Sequence, residues 1–164
     1  MAGKRGDQIF LVRHGKAEDG HPLGDEARAL TEEGREEFRE HARKLAGHMT
    51  VEGIVTSPAV RAVQTAEILA EACGVARLEV RSEISVDRGS ARSIEVVCRE
   101  MGPGWALVGH NPSMAEALAH LISHSHGAPQ FRKGAVVALV PGESLPWQLK
   151  WVASPGKKMK QSLD

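Results

Sequence analysis

Apolar positions along this chain gather into short dense blocks, and several of the blocks stop abruptly on polar residues. Ile9, Phe10, Leu11 and Val12 run without interruption into Arg13, His14 and Gly15, which predicts a buried strand over residues 8–13. "GIVTS" at 53–57 and "WALVGH" at 105–110 read the same way, and "RLEV" at 77–80 is a weaker strand. Between them lie segments with helical texture. Thr31 is a candidate N-cap, with Glu32 and Glu33 suited to a first turn, and that helix runs to about Leu45. Pro58 opens a second helix that extends to about Ala72, with Gly74 as its stop. A third covers residues 90–101, and a fourth follows Asn111-Pro112 to about His124. Residues 15–30 are polar and glycine-rich, hence loop. After Gly127 the pattern changes. "GAVVALV" and "WQLKWV", separated by "PGESLP", predict an antiparallel pair of strands.

Strands alternating with helices imply an α/β fold, a three-layer α/β/α sandwich with a mostly parallel central sheet. One domain over residues 1–155 is expected, followed by a frayed basic tail over 156–164. In such sheets ligands gather at the carboxyl ends of the strands. Here one strand ends in Arg13-His14-Gly15. Another ends in Ser57-Pro58, with Arg61 one turn into the next helix, and a third ends in Gly109-His110-Asn111-Pro112. If these strands are parallel, two arginines, two histidines and two helix N-termini share one edge. Guanidinium forks, imidazoles and free helical N–H groups all attract anions. The set suits a tetrahedral dianion.

Charge narrows the choice of partner. The 164 residues include 21 basic and 21 acidic side chains, for a formal net charge of +0. With no overall basic field, nucleic acid is not expected as the main partner, and an anion must be drawn by a local cluster. Apolar residues at 41% and charged residues at 26% are ordinary for a globular domain. No apolar stretch reaches the length of a membrane span, and the opening residues lack a secretion signal's apolar segment. Cys73 and Cys98 follow no motif spacing and read as core thiols of a reducing compartment, so a cytoplasmic protein is expected.

"LVRHG", "TSPAVRAVQTA" and "LVGHNP", in this order between about residues 8 and 140, resemble the histidine phosphatase superfamily, which includes the phosphoglycerate mutases and acid phosphatases. The short length resembles its SixA-like phosphohistidine phosphatase branch. The resemblance implies a small phosphoglycerate mutase-like fold without a large lid insertion. It implies that His14 is the nucleophile and becomes a phosphohistidine that water then hydrolyses. Arg13, Arg61 and His110 would hold the phosphoryl oxygens, with the arginines supplying charge that a metal supplies elsewhere, so no metal or cofactor is expected. Gly15 would let the backbone turn beside the nucleophile and would join the phosphate-binding groups. Ser57 would either bond the phosphate or cap the following helix. Asn111 would shape the turn after His110, and Gln64 and Thr65 would serve packing. Inorganic phosphate or sulfate would fit the same site.

A phosphomonoester also needs its leaving group protonated. In longer members of the family the donor is usually a Glu between the second and third motifs. Glu83 and Asp87 are candidates here, and Glu18 in the loop after the nucleophile is another. The family's usual L-x-E arrangement is absent, and aligning Ile84 with its leucine leaves Val86 at the acid's place. A P–N bond to imidazole needs such an acid less than a P–O bond does. The short interval between Thr65 and Gly109 also leaves little room for a lid over the site. Both features favour phosphohistidine on a protein as the substrate. The alternatives are a small-molecule phosphomonoesterase or mutase and, in another class, a non-catalytic phosphate-binding module.

Other polar clusters carry less. His120 and His124 share a helix spacing, but no Cys, Asp or Glu lies close by in sequence to complete a metal site with them or His126. Phe10 and Ala17 break any P-loop reading of Gly15-Lys16, and neither cysteine begins a C-x5-R loop.

Overall fold

The apolar block before Arg13 forms strand β1, Ile9–Arg13, near the middle of a six-stranded sheet. The other strands are β2 (Gly53–Thr56), β3 (Arg77–Val80), β4 (Trp105–Gly109), β5 (Val136–Val140) and β6 (Gln148–Ala153). Their spatial order is β3-β2-β4-β1-β5-β6. The first four positions are mutually parallel, while β5 and β6 run antiparallel at one side. The structure is a computed structural model that describes residues 5–163. Residues 1–4 and Asp164, the last residue of the tail read above as frayed, lie outside the described residues.

Alternation along the buried strands divides the core in two. Ile9 and Leu11 of β1 join Trp105 and Leu107 of β4 on one face, while Phe10, Val12, Ala106 and Val108 point to the other. The first face is covered by helices α3 (Ala91–Met101) and α4 (Ser113–Leu121), through residues such as Ile94, Val97, Met114 and Leu118. The second is covered by α1 (Glu32–Leu45) and α2 (Val60–Cys73), through Phe38, Ala42, Ala66 and Leu69. This is the three-layer arrangement expected from the alternating pattern.

Local chemistry sets the helix ends. The Thr31 side chain accepts the Gly34 N–H, and Gly74 closes α2 in the left-handed region at φ 68°. Helix α4 stops at Leu121 rather than near His124. Ser123 adopts φ 54°, its N–H reaches the His120 carbonyl, and the His124 N–H reaches that of Ala119. That left-handed closure consumes the last carbonyls and ends the helix early. Gly34 has a packing reason: a Cβ there would sit 2.1 Å from the Lys16 carbonyl oxygen, where the loop after β1 crosses α1.

The tail also departs from expectation. Lys160 exchanges both backbone hydrogen bonds with Val152 of β6, at 2.7 and 2.9 Å, and Leu163 packs against the core. The exposed edge of β6 supplies unpaired backbone groups, and the basic segment satisfies them instead of fraying.

Candidate active site

Parallel pairing of β1 and β2 with β4 aligns their carboxyl ends, and the polar residues that follow those ends meet. A pocket of about 420 Å³ is lined by Arg13, His14, Arg61 and His110, with Asp25, Arg28, Val86, Asn111 and Lys133 around them. The rings of His14 and His110 stand 5.2 Å apart, centre to centre. His14 is 7% exposed, His110 3% and Arg61 4%. Each is therefore nearly buried yet borders open volume.

His14 is held in one tautomer. Its Nδ1 lies 2.7 Å from the Gly15 carbonyl oxygen, which can only accept, so Nδ1 carries the hydrogen and Nε2 keeps its lone pair. The Gly15 N–H in turn donates to Thr65 Oγ1 at 3.1 Å, and the Thr65 hydroxyl donates to the Arg61 carbonyl. Thr65 thus links the loop that carries His14 to the helix that carries Arg61, which is more than a packing role. Gln64 accepts the Leu30 N–H at 2.7 Å and docks the far end of that loop on α2.

Two expectations for phosphate-binding groups need correction. The Gly15 N–H is committed to Thr65, so it is not a free donor. Gly15 is outside the left-handed region, and a Cβ there would meet only ordinary contacts, the closest at 3.5 Å. Its contribution is the carbonyl that orients His14. Ser57 is fully buried and does not line the pocket. Its Oγ lies 2.7 Å from His110 Nε2 and accepts the Ala59 N–H at the entrance to α2. Its hydroxyl is placed to position His110 behind the pocket wall.

The general-acid candidates are placed elsewhere. Both Glu83 and Asp87 lie outside the pocket lining. Glu83 accepts from Nε and Nη2 of Arg81, which hold its carboxyl below the usual range. Asp87 is exposed. Glu18 braces its own loop by accepting the Ala29 N–H. Val86 does line the pocket, at the place where the motif alignment put it. Asn111 shapes its turn as expected, bonding the Phe131 carbonyl and the Ala115 N–H. His120 is paired with Glu95 at 2.7 Å.

Asp25 and Arg28 were not anticipated. Asp25 receives Nη2 of Arg61 on its carboxylate at 2.9 Å and Nη1 on its carbonyl at 2.8 Å. Its carboxylate also receives Arg28 at 2.8 Å. Arg28 and then Arg61 hold this carboxyl below its ordinary value, so it stays ionised. The only sequence signal was an Asp three residues before an Arg in a loop without hydrophobic period.

Three buried nitrogens at the site have no protein partner: Arg13 Nε, Arg61 Nε and His110 Nδ1. Buried donors left unpaired are costly, and their concentration at one pocket points to a ligand rich in acceptors. Burial is the main reason His14 is pushed down to about 3 and His110 to about 4, and the charge of Arg61 adds at both. His41, buried against the Ala153 carbonyl, is lowered too. An ordinary imidazole titrates near 6.5. Below that pH the unfolded chain binds protons that the folded rings refuse, so stability is full above about 6.5 and falls as pH drops toward the folded values. Calorimetry in phosphate-free buffer should show Tm falling from pH 7 to pH 5, with a shallower slope in His110→Gln. A flat profile would contradict this burial.

The family model for the histidine phosphatase superfamily, branch 1, matches residues 9–88. This segment, just under half of the chain, is similar to that superfamily. Among solved structures, the protein histidine phosphatase SixA complexed with tungstate is 27% identical, with a TM-score of 0.78 over 90% of this chain and 97% of that one. A protein of Agrobacterium tumefaciens named SixA is 24% identical, with a TM-score of 0.79 over 90% and 97%. The mycobacterial glucosyl-3-phosphoglycerate phosphatase Rv2419c is 18% identical, with a TM-score of 0.65 over 87% and 96%. A search of curated protein sequences returns no match. The "LVGHNP" motif lies beyond the segment that the superfamily model matches, yet the fold brings its histidine to the other two motifs. Among the described residues no helix is long and apolar enough to cross a membrane.

Proposed function

We propose that this protein hydrolyses phosphohistidine on a partner protein through a covalent intermediate on His14. The phosphoryl group would sit among Arg13, Arg61 and His110, whose unpaired nitrogens would donate to its oxygens. His14 Nε2 attacks phosphorus in line, and the P–N bond to the substrate imidazole breaks. The departing ring takes its proton from water on its second nitrogen. Water then attacks the phosphorylated His14, releasing inorganic phosphate and restoring the free imidazole. Tungstate, bound by the similar SixA structure, is a tetrahedral oxyanion of the same kind.

The observation that carries the choice of substrate is the absence, among the described residues lining the pocket, of a carboxyl able to give up a proton. Asp25 is the single carboxylate there, and two arginines keep it ionised. Val86 presents hydrocarbon at the acid's place. A sugar alkoxide leaving without help loses the roughly 10²–10⁴-fold that a positioned acid contributes, whereas imidazole, protonated from water, depends on it less. Unpaired Cys73 and Cys98 are consistent with a cytoplasmic setting.

Turnover of a phosphohistidine protein, of sugar phosphates and of p-nitrophenyl phosphate should be compared at equal enzyme. We expect kcat/KM on phosphohistidine to exceed that on sugar phosphates by about 10²-fold or more. A sugar phosphate as the best substrate would replace this reading with that of a small-molecule phosphomonoesterase. Phosphate binding without any turnover would make the protein a binding module.

A further inference from the structure

A second cavity opens beside the catalytic pocket and shares Arg13, Asn111 and Lys133 with it. Its volume is about 520 Å³. Phe131, Pro129 and Pro155 line it with apolar surface, and Lys16, Arg132, Lys133 and Lys157 bring positive charge. Glu37 is its single carboxylate. Lys16 is paired with Glu33, but Arg132, Lys133 and Lys157 form no ion pair among the described residues. All three are exposed.

This concentration stands out in a chain whose formal net charge is +0. Lys157 is not on a loose tail. The backbone bonds between Val152 and Lys160, and that of the Lys157 N–H to the Ser154 carbonyl, fix the segment against the sheet edge. The fold therefore holds unpaired cations along a groove that leads into the phosphate pocket. Like charges gathered without counter-ions repel one another, and an anionic partner relieves that repulsion.

We infer that this groove binds an acidic stretch of the substrate protein next to its phosphorylated residue, an inference that rests on the protein substrate proposed above. The apolar floor suits peptide backbone and side-chain methylenes, and the cationic rim suits Asp and Glu. Arg13 and Lys133, common to both cavities, would set the register between the acidic stretch and the phosphoryl group.

The test uses two peptides that carry a non-hydrolysable phosphoryl-triazole analogue of phosphohistidine, one flanked by Asp and Glu and one by Ala and Gln. Both serve as competitive inhibitors of p-nitrophenyl phosphate hydrolysis by the full chain at low salt. We expect the acidic peptide to inhibit about tenfold more tightly, with the difference shrinking as salt rises. Arg132→Ala/Lys157→Ala should bring the two inhibition constants within about twofold. Its kcat/KM on p-nitrophenyl phosphate should stay unchanged, since neither residue lines the catalytic pocket. Arg132→Glu/Lys157→Glu should reverse the preference. Equal inhibition by the two peptides, or a preference that survives in both double variants, overturns the inference. So does a small bis-anionic phosphate ester whose KM follows these variants when the peptides do not. Turnover of genuine phosphohistidine peptide is scored separately. Its failure alongside a preserved acidic preference would remove the proposed substrate and leave the acidic groove standing.

Discussion

His14→Ala should lower kcat by about 10⁴–10⁶-fold on every phosphorylated substrate, the scale expected when a nucleophile that acts as part of a unit is removed. The physical reason is specific to this ring. The Gly15 carbonyl fixes its tautomer, and burial keeps it neutral down to about pH 3, so nearly all of it is reactive at neutral pH. Other side chains at the pocket cannot substitute. His110 has its Nε2 engaged with Ser57, and its buried Nδ1 has no protein partner. Acid-labile, alkali-stable ³²P should be trapped on the wild-type chain after rapid quenching and should be missing from the variant. Tungstate should still bind to His14→Ala, because the arginines remain. Full hydrolysis by that variant would end the covalent mechanism, and label on another residue would move it.

Arg61→Ala should cost on the order of 10³-fold in kcat/KM, about 4 kcal/mol of transition-state stabilisation. Arg61 is nearly buried, and its terminal nitrogens are held by Asp25 while Nε is left for the ligand. Its orientation is set before substrate arrives. Arg61→Lys keeps a charge but loses the planar fork that Asp25 grips, so most of the loss should remain. Asp25 is a positioning residue in this scheme. Asp25→Ala should raise KM by about tenfold to a hundredfold as Arg61 loses its fixed direction. The yield of trapped phosphohistidine at saturating substrate should change little. A fall in kcat with unchanged KM would instead give Asp25 a direct part in the chemistry.

The two outcomes separate the halves of the site. Removing the nucleophile abolishes chemistry and spares anion binding, while removing the fork weakens both. The distinction matters because the pocket has few alternatives to fall back on. Lys133 and Arg28 stand at its rim, but neither is buried as Arg61 is.

Strand positions, the three-layer class and the meeting of Arg13, His14, Arg61 and His110 were legible from the chain. Apolar blocks and period-2 alternation are local properties, and three parallel strands that each end in anion-binding residues have one common edge. The antiparallel pair at residues 136–140 and 148–153 was legible for the same reason. What escaped depends on contacts between segments without such patterns. Asp25 lies in a polar loop, and nothing near it in sequence marks Arg61 as its partner. Ser57 could bond a phosphate or a neighbour equally well until His110 was placed 2.7 Å away. Gly15 looked like a turn residue and proved to act through its carbonyl. The tail's lysines looked loose because composition says nothing about which sheet edge is left open. Local patterning therefore determined the elements and which anion-binding residues stand at the strand ends. Long-range packing alone decided which groups are held, which are left unpaired, and which charges border the pocket, because those depend on where distant loops close.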